Sequence, residues 1–274
     1  MEPIQRFFWW IEERHRIFLS KEAGLPRGEW TDDEILKTYR FTNPFRENDK
    51  TTVWFRENMR KPLKDSPEVL MATVIFRWFN LIETGKTLLS NNLHIDWKPE
   101  VARQEIKKQL KYITGGYIIK TPDGMDKVDG VIWCIDKFWK QRNNLINELK
   151  DSSLHRSWHV LMQFPYQGPF MAYELITDLR HTYLLNEARD IYTWANAGPG
   201  AMRGLNRIHG RELKYKSRKH DWNEEMFQLL GKSSQYLHPD FPKLEMRDIE
   251  HSLCEFDKYE RVRNGEGAPR GRYP

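Results

Sequence analysis

Apolar residues recur at three- and four-residue steps in one segment of this chain after another, and no tract alternates with the two-residue period of a strand. Residues 4–21 set the pattern, with Ile4, Phe7, Phe8, Ile11, His15 and Phe18 on one face. Further helices are expected over about 47–59, 99–112, 128–149, 154–162, 169–183, 221–236 and 245–263, and one beginning at Pro67. Thr31 and Glu34 have capping-box spacing, which predicts a short helix running to Tyr39. Pro169 suits the first turn of its helix. The fold class expected is all-α. Residues 1–274 are read as a single domain with a basic Gly- and Arg-rich tail from about residue 264, either a flexible end or an arm along DNA.

A chain of 274 residues can bury a large core. Its mean hydropathy of −0.77 reflects abundant charge, since eleven Trp, eleven Tyr and fourteen Phe supply many apolar anchors. No apolar run is long enough to cross a bilayer. Phe7 to Trp10 are followed at once by Glu12, Glu13 and Arg14, unlike a signal peptide. Cys134 and Cys254 lie far apart without metal-site spacing, which points to free thiols and a reducing cytoplasm. Cys134 borders the apolar stripe of its helix and is read as packing.

The stretch around which the chain is organised is Gly198-Pro199-Gly200-Ala201. Helical spacing over Glu187–Trp194 precedes it and another helix follows, the pattern of a helix-hairpin-helix. Glycine lets backbone approach a ligand, and a helix N-terminus offers N–H groups to a phosphate. Arg203 and Arg207 lie one turn apart and could serve the same anion. From Arg203 to Lys219 there are seven basic residues (Arg203, Arg207, Arg211, Lys214, Lys216, Arg218 and Lys219) against one acid, Glu212. That concentration exceeds the net +5 of the whole chain and suits a nucleic-acid groove. An ordinary helix–helix turn and a solvated basic loop are the plain alternatives.

Arg46 and Asp49 sit three residues apart after the turn at Asn43-Pro44, either as an anion-binding arginine held by a carboxylate or as helix-end charges. Glu174, Asp178 and His181 are spaced i, i+4, i+7 on one predicted helix face and could orient an amine, hold a cation or move a proton. A solvated helix face is the other reading. Gly85-Lys86-Thr87 imitates the end of a phosphate loop, but Asn80 stands where that loop's first glycine belongs.

Three motifs together carry a family resemblance: Phe41-Thr42-Asn43-Pro44-Phe45-Arg46-Glu47-Asn48-Asp49-Lys50; Gly198-Pro199-Gly200-Ala201-Met202-Arg203-Gly204-Leu205; and Cys254-Glu255-Phe256-Asp257-Lys258-Tyr259 with Gly265-Glu266-Gly267-Ala268-Pro269-Arg270. Over nearly its whole length the chain resembles the α-glutamyl/putrescinyl thymine pyrophosphorylase family of bacteriophages. The same region is found fused to hydroxymethyluracil DNA kinases as a helical domain. The resemblance implies a DNA glycosylase-like helical fold that leaves the glycosidic bond intact. It implies transfer of an amino acid or polyamine onto the 5-methylene carbon of pyrophosphorylated 5-hydroxymethyluracil in DNA, with release of pyrophosphate. The partners implied are that DNA, a free amino acid or polyamine, and a hydroxymethyluracil DNA kinase, in the cytoplasm of the infected bacterial host. No membrane is involved. With no kinase phosphate loop of its own, the chain looks like the stand-alone transferase.

Residue chemistry then selects candidates that the resemblance does not assign. Arg46, Arg180 and Arg203 would hold pyrophosphate. Asp49, Glu174 and Asp178, with Asp190 behind them, would deprotonate the amine. Gly198, Gly200, Arg203, Arg207 and Arg211 would contact DNA. No cofactor is demanded, although Mg²⁺ could help pyrophosphate depart. Two competing readings are a glycosylase that excises a modified base, with Asp221 as its carboxylate, and a helical DNA-binding module without activity.

Overall fold

A computed structural model describes residues 1–217 and 219–273; Arg218 of the basic stretch lies outside the described residues. In chain order the helices are α1 (Pro3–Glu22), α2 (Glu34–Thr38), α3 (Lys50–Phe55), α4 (Glu68–Phe79), α5 (Ile82–Ser90), α6 (Pro99–Ile106), α7 (Lys127–Leu149), α8 (Leu154–Leu161), α9 (Pro169–Leu179), α10 (Pro199–Ile208), α11 (Trp222–Tyr236) and α12 (Met246–Arg263). Among the described residues the pairing of extended backbone is limited to a bridge between Tyr39 and Arg272, so the all-α expectation holds. The chain divides into two compact units, one of residues 1–49 with 191–274 and the other of residues 50–190.

In the first unit α1, α10 and α11 gather on α12. Phe7, Phe8, Trp10 and Ile11 of α1 are fully buried. Phe7 meets Phe256 edge-on at 5.4 Å and Phe8 stacks on Tyr236 at 5.0 Å. Arg6 of α1 binds Glu260 of α12 at 2.8 Å. Gly200 and Gly204, four residues apart, form the face that α10 lays on α12. A Cβ on Gly204 would stand 2.5 Å from the Leu253 carbonyl oxygen, and one on Gly200 would enter the Cys254 side chain. These two glycines are therefore spent on helix packing.

Several element boundaries move from their expected places, each for a local reason. The N-cap of α2 is Asp33, which accepts the Leu36 N–H at 2.8 Å, while Thr31 Oγ1 accepts the Asp33 N–H instead of capping. The helix expected over 187–194 is a series of turns. Asn223 accepts the Ala195 N–H and donates to the Thr193 carbonyl, holding the approach to α10 out of helical geometry. Gly198 is extended, with φ −71° and ψ 169°, and Pro199 opens α10. The expected hairpin is thus a turn segment followed by one helix. Tyr273, the last described residue, is docked: its N–H reaches the Thr38 carbonyl, and the Lys21 ammonium lies 4.0 Å from its ring centroid.

In the second unit α4 is the central helix. Every residue from Val69 to Phe79 is buried, as its near-continuous apolar sequence requires. Thr73, which with Arg77 is a buried polar residue of this helix, donates its hydroxyl to the Val69 carbonyl. The helix ends at Asn80, whose φ of 47° is left-handed. Gly85 lies inside α5, where a Cβ would collide with Trp54 and Phe76, so Gly85-Lys86-Thr87 is helix rather than phosphate loop. The expected 47–59 helix breaks into a 3₁₀ turn (Arg46–Asn48), α3 and a π-helical turn (Arg56–Arg60). Helix α9 stops at Leu179, four residues early, as Thr182 Oγ1 takes the Leu179 carbonyl.

Candidate active site

The loop Phe41-Thr42-Asn43 runs beside α12 and brings two of the sequence motifs together. Two N–H groups of the buried Arg14 donate to the Phe41 carbonyl at 3.2 and 3.0 Å. The Thr42 N–H donates to Glu255 Oε2 at 3.1 Å, and Thr42 Oγ1 lies 2.8 Å from His251 Nε2. Asn43 donates from its backbone N–H and from Nδ2 to Asp49 Oδ1, at 3.0 and 3.1 Å. Its Nδ2 also reaches the Asn48 carbonyl at 2.9 Å. His251 Nε2 stands 3.9 Å from Asp49 Oδ2. Glu255 is further paired with Lys258.

The electrostatics at Asp49 follow from this packing. Its side chain is only 24 % exposed. Burial pushes its pKa up to about 6, against the Asn43 N–H and the charges of Arg46 and Arg14, which pull it down. Arg46, in the 3₁₀ turn, is 6 % exposed. The Oδ1 of the buried Asn43 accepts no hydrogen bond among the described residues. The result is a carboxylate more basic than an ordinary aspartate, reachable by solvent, with an imidazole beside it. Such a group is suited to accepting a proton near neutral pH.

His251 was not singled out by the sequence reading. A signal was there: His251, Glu255 and Lys258 follow the same i, i+4, i+7 spacing used for Glu174, Asp178 and His181. Close by, Phe241 stacks against Phe45 with centroids 5.8 Å apart. Phe241 also walls a groove of about 600 Å³ lined by Tyr192, Phe227, Leu230, Leu244 and neighbours.

The other predicted residues are placed differently. Glu174 and Asp178 belong to the second unit and are buried, so they form no solvated face. His181 lies beyond the end of α9, so the expected three-residue column is not continuous. Asp178 is completely buried and gripped by two guanidinium groups: Arg77 at 2.6 and 3.0 Å and Arg60 at 3.0 Å. Arg77 continues to Thr52 at 3.2 Å and Asn80 at 2.8 Å. Glu174 accepts the Tyr117 hydroxyl at 2.7 Å. Arg180 is the half-buried C-cap of α9. Asp190 accepts the N–H groups of Leu154 and His155 at the start of α8, and Asp221 caps α11 through the Glu224 N–H.

The arginines expected to share an anion are held by carboxylates of the protein itself. Arg203 and Arg207 bind the two oxygens of the buried Asp257, at 2.7 and 2.9 Å. Arg207 also meets Glu266 at 2.5 Å, and Arg211 meets Glu225 at 2.5 and 2.7 Å. Glu250 Oε1 lies 3.6 Å from where a Cβ of Gly198 would stand, supplying negative charge at the α10 N-terminus. Cys134 is buried and Cys254 packs under Gly200, and burial pushes each thiol up to about 12.

Residues 2–268 match the family model described as 5-hmdU DNA kinase, helical domain. The chain belongs to this family. A curated relative, the 5-hmdU DNA kinase of Bacillus phage SP10, is 24% identical over 231 residues. That alignment covers 73% of this chain but 35% of the phage protein, so the chain spans about a third of that relative's length. No solved structure matches. Membership of the family agrees with the resemblance drawn from the motifs. Among the described residues no helix is long and apolar enough to cross a membrane.

Proposed function

We propose that this chain hypermodifies thymine in phage DNA, displacing pyrophosphate from pyrophosphorylated 5-hydroxymethyluracil with the amine of an amino acid or polyamine. The observation that carries the reading is the meeting of the 41–50 loop and α12 at Asp49 and His251. In this reaction the amine nitrogen attacks the 5-methylene carbon as the carbon–oxygen bond to pyrophosphate breaks, and the bonding electrons leave with pyrophosphate. The proton on the new C–N centre must go to a base. Asp49, with its raised pKa and partial exposure, is suited to take it, with His251 beside it. Arg46 is the nearest of the predicted anion-binding arginines in sequence, and its positive charge suits the departing pyrophosphate. Mg²⁺ carried by the pyrophosphate would serve the same end, and the reading asks for no resident metal.

In this reading the base is brought to the first unit, whose aromatic-walled groove offers flat faces to a flipped nucleobase. The DNA glycosylase-like arrangement and a DNA-facing role for Gly198, just before α10, belong to the same proposal. Its partners are a kinase that supplies the pyrophosphorylated base and a pool of free amines in the infected bacterium. Glu174 and Asp178 are the less favoured bases, because one is hydrogen-bonded by Tyr117 and the other lies between two arginines. Single-turnover assays of Asp49→Asn and His251→Ala on pyrophosphorylated DNA test the assignment. Transfer should fall steeply in Asp49→Asn while DNA binding persists; undiminished transfer would refute Asp49 as the base.

A further inference from the structure

Helix α8 carries a feature that the proposed chemistry does not use. His155 and His159 are one turn apart, both exposed, with their rings 4.8 Å apart. Their Nε2 atoms share a hydrogen bond at 3.2 Å, one ring donating to the other. Two zinc–imidazole bonds of about 2.1 Å span roughly 3.0 Å when at right angles and roughly 3.4 Å in a tetrahedron. The observed separation lies between these limits. We propose that His155 and His159 form a chelating pair for a divalent transition metal of the zinc, nickel or copper class, with solvent or an exogenous anion completing the coordination.

The backbone beneath the pair is fixed before any metal arrives. Ser153 Oγ accepts the Arg156 N–H at 3.1 Å, and the Asp190 carboxylate accepts the N–H groups of Leu154 and His155 at 2.7 and 2.9 Å. The first turn of α8 is thereby tied down, and binding exchanges the hydrogen bond between the two rings for two metal–nitrogen bonds. Imidazole nitrogen favours zinc, copper and nickel, whereas magnesium and calcium seek oxygen. Among the described residues no third His, Cys, Asp or Glu completes a metal-binding group with them, so the pair contributes two ligands and solvent fills the other positions. A cation held there would accept a phosphate or carboxylate from outside.

The test uses the untagged full chain. Titration with Ni²⁺ or Zn²⁺, followed by calorimetry, should reveal a saturable site that His155→Ala or His159→Ala each weakens by about tenfold or more. The double substitution should abolish it, His238→Ala should leave it intact, and excess Mg²⁺ should not compete. Because Trp158 lies 4.8 Å from the His159 ring and 6.2 Å from that of His155, bound Cu²⁺ should quench its fluorescence. Trp158→Phe should remove that part of the quenching. Both histidines are exposed, so the variants should keep the wild-type circular dichroism. Absence of saturable binding, or wild-type affinity in the double variant, would overturn the proposal.

Discussion

Asp49 is held where ionisation is costly. Its folded pKa of about 6 lies above the ordinary 3.8 because burial outweighs the Asn43 hydrogen bond and the nearby arginines. Between those values the folded state binds a proton that the unfolded chain has released. The stability contributed by the protonated carboxyl is therefore complete below about pH 4 and lost as pH rises through 6. Asp49→Asn removes that loss. Relative to wild type it should be more stable at pH 7, by roughly 1–3 kcal/mol, with the difference shrinking towards pH 4 in urea denaturation. Its transfer activity should fall in the single-turnover assay. A variant less stable than wild type at pH 7 would mean that ionised Asp49 supports the fold. In the wild type, kcat/KM for transfer should decline below an apparent pKa near 6; a flat profile through that range would argue against a carboxylate base. Asp49 and Arg46 could be picked from the sequence because they sit in a distinctive loop. His251 could not be tied to them, since its partner lies two hundred residues away and only the packing of that loop on α12 joins them.

At the scale of the elements, helix packing accounts for residues whose types suggested ligand binding. Gly204→Ala would press a methyl against the Leu253 carbonyl and should cost about 1–3 kcal/mol or more, whereas Gly198→Ala should be mild. Thermal denaturation of the pair distinguishes a packing glycine from one kept for a ligand; equal melting temperatures would contradict the packing role. Asp178→Asn leaves two buried guanidinium groups short of a counter-charge and should destabilise by about 3–5 kcal/mol. A fully stable Asp178→Asn without activity would instead return Asp178 to the chemistry. Most helices were legible because each carries a clean apolar face, and α7, α8 and α12 fall within a residue or two of expectation. The helix expected before Gly198 failed because periodicity does not register the Asn223 side chain that holds residues 193–195 out of helical geometry. The three-member column on α9 failed for a similar reason. Its spacing assumed four residues of helix that the chain does not form.

For the whole molecule, the basic stretch is less cationic than its sequence suggests. Arg203, Arg207 and Arg211 are each matched by a carboxylate, while Lys214, Lys216 and Lys219 are exposed. DNA affinity should depend on those lysines: replacing all three by alanine should reduce the log–log salt slope by about 3. Arg207→Ala should act mainly on stability. An unchanged slope in the triple variant would move the DNA surface elsewhere. Composition could reveal the local excess of charge but not its neutralisation, because Asp257, Glu266 and Glu225 come from separate segments. The central claim is transfer of an amine to DNA, and mass spectrometry of nucleosides tests it most directly. DNA carrying pyrophosphorylated 5-hydroxymethyluracil is incubated with the protein, amino acids and putrescine, then digested. A nucleoside heavier than thymidine by one amine adduct, formed with release of pyrophosphate, is the expected result. Free modified base, or bound but unaltered DNA, would contradict it.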